Sequence, residues 1–527
     1  MTARTHYPNL RTAVDTVAFH AARQPQQVAL VCEGRDVTYE RLHRDSNRSA
    51  RALAAAGIGR GSRVAYLGKE SERYYEIFFA CAKTGAVLVP INWRLTPGEV
   101  DHILGDSQAE LVFVEREYAD MAERSRARLP SGPVVVALDG CQDSGLGFQE
   151  WRAAYPEDDL TVEATPDDPV VQLYTSGTTG LPKGVVLAHR SFFAIRDLLA
   201  EHGLDWIDWH PGDVSLISIP GFHVAGIWWA MQAFNAGVKS VAMRMFTAHD
   251  AVRLIRELGV TTTLAVPAML QMMLAEPGVG PEDFDSLRKV TYGGSPISES
   301  LLLRCIETLR CDLAQLYGLT ESGNTALCLP PADHVPGSPR LRAAGRPYPG
   351  IEVAVTGDDG TVLAAGEVGE IRLRTPAVML EYWGLKEATD ETLVDGWLRT
   401  GDAGYLDEDG YVYVHDRIKD TIIVAGENVY PAEVENALCA HPSVAEAAVI
   451  GVPDERWGEA VRAFVVLRPG TTVKPRELKL FLQDRIADFK SPSGYEFIDR
   501  VPRNPSGKIL RRELRRGFWE GRERQVN

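Results

Sequence analysis

The sequence predicts an α/β protein: a large N-terminal domain of layered βα subdomains plus a β-rich subdomain, followed by a small mobile α+β domain. Three observations predict it. Apolar runs of strand length alternate with helical periodicity through most of the chain, the pattern of α/β layers around a mostly parallel sheet. From about residue 345 the runs are instead separated by Asp-Gly and Gly-Glu turn sequences, which suit antiparallel hairpins. After a charged break, Asp416-Arg417-Ile418-Lys419-Asp420, residues 421–527 suffice for a compact unit of their own. The expected division is therefore 1–418 and 419–527, with a hinge near Lys419.

In chain order, residues 40–57 have the Ala/Leu periodicity of an amphipathic helix ended by Gly57. Residues 63–67 (RVAYL) read as a strand, 74–85 as a helix and 86–90 (AVLVP) as a buried strand. The pattern resumes at 214–219, 238–243, 261–266 and 288–292, each run followed by a helical stretch. Residues 351–374 and 405–415 (YLDEDGYVYVH) read as hairpins.

Composition excludes several classes. Of 527 residues 45% are hydrophobic and 24% charged, ordinary values for a globular chain. Lys and Arg number 56 against 72 Asp and Glu, a net charge of −16. Such acidity argues against nucleic acid or an anionic membrane surface as the main partner, since polyanions need a basic footprint. It leaves room for a small anion held by local donors. Seven scattered cysteines without a C-x-x-C pair read as reduced thiols. The first residues have no apolar core of the signal-peptide kind. The longest apolar stretch, 222–234, is short of the roughly 20 residues a membrane-spanning helix needs. A cytoplasmic enzyme is expected.

The most informative segment is 174–184, YTSGTTGLPKG. Here Thr175, Ser176, Gly177, Thr178, Thr179 and Gly180 are followed by Lys183 and Gly184. Glycines let backbone amides approach a phosphate, hydroxyls donate to its oxygens, and a lysine offsets its charge. It is not a Walker A loop, because Val185 stands where that pattern requires Lys.

With this loop the sequence resembles the adenylate-forming family: acyl- and aryl-CoA synthetases, luciferases and nonribosomal adenylation domains. Further motifs occur in the family's order over nearly the whole chain. They are 221–223 (GFH), 293–296 (GGSP), 317–321 (YGLTE), 400–402 (TGD), 416–420 (DRIKD), 425–435 (AGENVYPAEVE), 453–459 (PDERWGE) and 502–508 (PRNPSGK).

The resemblance implies that a carboxylate attacks the α-phosphate of ATP, giving acyl-AMP and pyrophosphate, before the acyl group passes to an acceptor. It implies Glu321 as the Mg²⁺ ligand, Thr320 at the α-phosphate and Tyr317 beside the adenine. Gly293, Gly294, Ser295 and Gly318 would complete the nucleotide site, and Asp402 with Arg417 would hold the ribose. Lys508 would swing in for adenylation, with Thr178 and Glu321 as its catalytic companions, and His223 is the remaining catalytic candidate. Lys419 matches the hinge about which the C-terminal domain rotates between half-reactions.

His223 would gate the path between acyl pocket and thiol tunnel. Phe222, Trp228 and Gly318 would line the acyl pocket, and Trp228 with Trp229 could narrow it toward a medium-chain or aromatic acid. The tunnel would carry Ala425, Gly426, Trp457 and Phe489.

Two departures bear on the acceptor. Val424-Ala425 replaces a smaller Ser-Gly pair of many CoA synthetases. Ser491, Ser493 and Gly494 follow Lys490 where several relatives carry cations that meet the phosphates of CoA. Coenzyme A is the expected acceptor; a carrier-protein thiol, an amine or nitrite is the alternative. An inactive nucleotide-binding protein fits poorly, since Lys183, Glu321, Asp402, Arg417 and Lys508 are all present. A homodimer is compatible with the resemblance.

Overall fold

The structure is a computed structural model that describes residues 4–139, 147–160, 163–175, 182–424, 427–454, 456–483, 485–503 and 509–519. Among these, the strands form four sheets. The first has nine strands, six of them parallel: Asp312–Tyr317, Lys289–Gly293, Thr262–Ala265, Val214–Ile217, Lys239–Ala242 and Val28–Cys32, in that spatial order. The second has seven, with a parallel centre built from Val87–Ile91, Arg63–Leu67, Leu111–Val114 and Val134–Ala137. Parallel sheets are covered on both faces, which is why these strands are rich in apolar residues rather than alternating.

Two helices lie between the sheets. Glu72–Thr84 packs against strands of both, Val87–Ile91 and Val28–Cys32. Val224–Ala236 packs on the first sheet and meets its neighbour through Tyr75–Phe234 and Phe79–Phe234 ring contacts at 5.2 and 5.4 Å. Both are buried nearly all round, so neither has an amphipathic pattern. The apolar stretch 222–234 is thus mostly core helix.

The expected hairpins form. Glu352–Thr356 pairs antiparallel with Gly369–Arg374, and Trp397–Leu406 with Val412–Arg417, within a five-stranded third sheet. A smaller five-stranded sheet follows, with its own apolar clusters around Val449 and Val465 and around Ile450 and Phe464. The chain is therefore a large N-terminal α/β part and a smaller C-terminal one. Lys419 sits in the 3-10 turn Ile418–Asp420, between Arg417, which ends the third sheet's last strand, and Ile422, which begins the fourth sheet.

Candidate functional site

The C-terminal ends of several strands converge on one group of polar side chains. Asp402 and Arg417 face each other in register across the antiparallel pair Trp397–Leu406 and Val412–Arg417. Arg417 Nε donates to Asp402 Oδ1 at 2.8 Å, and Tyr317 Oη donates to Asp402 Oδ2 at 2.6 Å. Thr400 braces the turn: its hydroxyl accepts from the Asp402 amide at 3.0 Å, and its carbonyl accepts from Arg417. Gly401, between them, has a φ of +67°, which a side chain would strain.

Burial works against the charge of Arg417, but Asp402, then Tyr317 and Glu321, outweigh it and hold the guanidinium above its ordinary range. Burial, with Asp402 beside it, pushes Tyr317 well above the usual phenol range. A carboxylate has about four acceptor positions. Arg417 and Tyr317 use two on Asp402, so acceptor capacity for ligand hydroxyls remains.

Glu321 and Thr320 lie in the short 3-10 turn Thr320–Ser322 that follows the strand bearing Tyr317. Tyr382 Oη donates to Glu321 Oε1 at 2.8 Å, and Lys183 Nζ stands 5.1 Å from the Tyr382 ring centroid. Burial, then Glu321, raises the Tyr382 phenol. Glu321 Oε2 has no protein partner among the described residues, so this carboxylate fits a cation ligand.

Lys183 opposes Thr175 where strands Pro169–Thr175 and Lys183–Ala188 pair. Ser176, Gly177, Thr178, Thr179 and Gly180, between these two ends, lie outside the described residues, as do Ala425, Gly426 and Lys508.

Two of the glycines have a steric requirement of their own. A Cβ on Gly293 would stand 2.3 Å from the Leu316 carbonyl, and one on Gly318 would stand 2.4 Å from the Asn324 carbonyl. Neighbouring backbone demands glycine at both, before any ligand is considered. Gly294, exposed and with φ +81°, and the half-buried Ser295 follow on a bend.

His223 caps the N-terminus of helix Val224–Ala236, its ring 4.6 Å from that of Phe222. Burial, then Arg94, lowers its pKa to about 4, so the imidazole is neutral near pH 7. Among the described residues its Nε2 is buried without a partner, as are Trp228 Nε1 and Trp229 Nε1. Trp228 and Trp229 are 1% and 2% exposed, the latter 5.0 Å from Trp209. Trp457 and Phe489 are exposed in the C-terminal part. Lys490 is spent internally, its Nζ 2.8 Å from both Glu433 oxygens.

Tyr382 and Arg94 escaped the sequence reading. Tyr382 lies on a two-residue strand joined to Lys183–Ala188 from far along the chain, in a short apolar stretch without strand or helix periodicity. A separate cavity of about 570 Å³ shares none of these residues. Its arginines are matched internally, Arg35 by Glu72, Arg152 by Glu76 and Arg244 by Glu115.

Comparison with known proteins identifies the family. The AMP-binding enzyme family matches residues 17–383, and the AMP-binding enzyme C-terminal domain matches 433–508. The chain is 62% identical over 525 residues, 99% of its length and 100% of the relative's, to a fatty acid–[acyl-carrier-protein] ligase, ScoC, of Streptomyces coeruleorubidus. It is 38% identical over 506 residues to a feruloyl-CoA synthase of an Amycolatopsis species, covering 94% and 97% of the two chains. Among solved structures, the anthranilate CoA ligase AuaEII in complex with anthranoyl-AMP superposes with a TM-score of 0.89 at 28% identity, covering 97% and 98%.

Proposed function

The chain belongs to the AMP-binding enzyme family of adenylate-forming ligases, and from that premise we propose that it activates a medium-chain or aromatic carboxylic acid and passes the acyl group to the thiol of a carrier protein. One observation carries the choice of acceptor. A carrier protein and coenzyme A present the same pantetheine arm, but only coenzyme A brings nucleotide phosphates that call for local cations. Lys490, the cation in the segment where such contacts are expected, is closed onto Glu433, and Ser491, Ser493 and Gly494 follow it. Similarity to the carrier-protein ligase of Streptomyces supports the same reading.

Coenzyme A is the second reading. The exposed rings of Trp457 and Phe489 favour it, offering stacking surface for an adenine.

In the first half-reaction the acid's carboxylate attacks the α-phosphorus of ATP and pyrophosphate leaves. Asp402, oriented by Arg417 and Tyr317, accepts from the ribose hydroxyls. Lys183 and the hydroxyls of 175–179 hold phosphate oxygens, and Lys508 supplies charge where the new bond forms. Glu321, oriented by Tyr382, would hold a Mg²⁺ ion through Oε2. Such an ion offsets phosphate charge. Residues 1–418 and 419–527 act as two bodies hinged at Lys419, the second presenting Lys508 first and the 424–427 segment afterwards.

Trp228 and Trp229, packed into the core, limit the acid's length. The decisive experiment incubates enzyme, ATP and a panel of acids with holo-carrier protein or with coenzyme A. Thioester on the carrier protein at much the higher kcat/KM is expected; the reverse preference establishes the second reading.

A further inference from the structure

Glu70 lies in the turn between strand Arg63–Leu67 and helix Glu72–Thr84 and is 4% exposed. A carboxylate so placed costs free energy unless it is hydrogen-bonded. Its Oε2 accepts from the Gly221 amide at 2.9 Å, while its Oε1 and the Tyr75 hydroxyl are buried without a hydrogen-bond partner among the described residues. One helical turn on, Tyr74 Oη donates to the Gly221 carbonyl at 2.9 Å. The two backbone polar groups of Gly221 are therefore both held by buried side chains of one short segment.

The approach leaves no room to shift. A Cβ on Gly221 would stand 2.4 Å from the Tyr74 ring. The clasping segment is itself anchored: Tyr66 Oη donates to the Lys69 carbonyl at 3.0 Å, and the Lys69 amide donates to Glu115 Oε2 at 3.1 Å. Gly221 belongs to the turn that leaves strand Val214–Ile217, so the clasp joins the second sheet to the first.

Two residues beyond Gly221 stands His223. Its amide donates to the Pro220 carbonyl at 3.0 Å, while its ring Nε2 is buried without a hydrogen-bond partner among the described residues. No side-chain bond orients the imidazole, so its position is inherited from the backbone of this turn.

We infer that Glu70 and Tyr74 are positioning residues for thiol transfer: by holding Gly221 at both its N–H and its C=O they set the Pro220–His223 turn, and with it the imidazole of His223 at the thiol's point of entry. The inference rests on the proposed acyl transfer past His223. Neither residue touches the nucleotide group around Asp402 and Glu321, so the first half-reaction is spared when the clasp is broken. A misplacement of an ångström in a positioned group is enough to lower a rate by one to two orders of magnitude.

The test uses the full-length enzyme with whichever thiol, carrier protein or coenzyme A, the wild type accepts. Adenylation is read as acid-dependent ATP–pyrophosphate exchange, transfer as thioester formed from preformed acyl-AMP, and stability by thermal melting. Tyr74→Phe and Glu70→Ala are expected to lower kcat of transfer about tenfold with exchange changed less than about twofold. Glu70→Gln, which keeps an acceptor for the Gly221 amide, is expected to recover most of the loss. Where Glu70→Ala does not fold, Tyr74→Phe carries the test alone, being isosteric but for one hydroxyl. Parallel loss of both half-reactions, unchanged transfer in Tyr74→Phe, or a Gln variant no better than Ala overturns the inference. A wild type that transfers normally while Tyr74→Phe is silent refutes the clasp and leaves the proposed function standing. A wild type that transfers to neither thiol refutes both.

Discussion

Arg511 and Asp416 lie 3.5 Å apart, tying the C-terminal helix Arg511–Trp519 to the strand that ends two residues before Lys419. Arg511 also meets both oxygens of Glu435, at 2.8 and 2.9 Å. One turn further along the same helix, Arg515 pairs with Asp420 at 3.1 Å. One helix face thus grips the chain on both sides of the hinge position. Burial raises the carboxyls of Asp416 and Glu435, and Arg511 is what opposes that rise.

Removing Arg511 leaves two buried carboxylates without their cation. Arg511→Ala is expected to destabilise the C-terminal part by about 3–5 kcal/mol, the usual cost of breaking one side of a buried pair. Hydrogen exchange that rises across residues 427–519 while the first two sheets stay protected is the result to look for. Unchanged exchange there would show the network to be dispensable.

Tyr382 orients Glu321 through one hydrogen bond to a charged acceptor, a contact worth about 1.5–3 kcal/mol. Tyr382→Phe should lower kcat/KM for ATP in pyrophosphate exchange about tenfold and raise the Mg²⁺ concentration at half-maximal rate. A variant with wild-type Mg²⁺ dependence would sever Tyr382 from the metal role of Glu321.

The acidity of Glu70 predicts a pH dependence of stability. Burial, opposed by Tyr75 and Gly221, raises its pKa from 4.5 to about 7. The folded state therefore holds this proton more tightly than the unfolded chain. Its contribution is fully present below pH 4.5 and is lost as the pH rises through 7. Glu70→Gln cannot ionise, so its stability relative to wild type should climb between pH 4.5 and 7 and then level off, by at most on the order of 3 kcal/mol. Urea denaturation of both proteins at pH 5 and pH 8 measures the difference, and a constant offset would mean Glu70 does not titrate in that range.

Trp228→Leu should let longer acids in. Exchange with an acid series is expected to peak at greater chain length than in the wild type, at a stability cost of about 1–3 kcal/mol for the lost packing. A peak at the original length would assign Trp228 to the core alone.

The sequence made the motif-borne part of the site legible because its chemistry sits in short, contiguous strings. Asp402 and Arg417 are examples, and their register across one hairpin explains why the two motifs lie close together in the chain. Strand runs such as 63–67 were readable because burial on both faces selects mostly apolar residues. Tyr382 was not, since a two-residue strand has no periodicity and its partner Val185 is far away in sequence. Glu70 reads as a surface residue of a helix start; only the packing of two sheets brings Gly221 to it. The motifs mark Gly293 and Gly318, but the crowding by Leu316 and Asn324 that also excludes a side chain there is visible only in the fold.

The contact between Tyr74 and Gly221 has a consequence for descent. One volume is shared by two positions, and the phenol ring has taken nearly all of it. A lineage that acquires a side chain at 221 must first shrink residue 74, and in doing so it gives up the hydroxyl that holds the carbonyl. The pair should therefore change together or not at all across descendants, so that 221 tolerates less drift than an ordinary turn glycine.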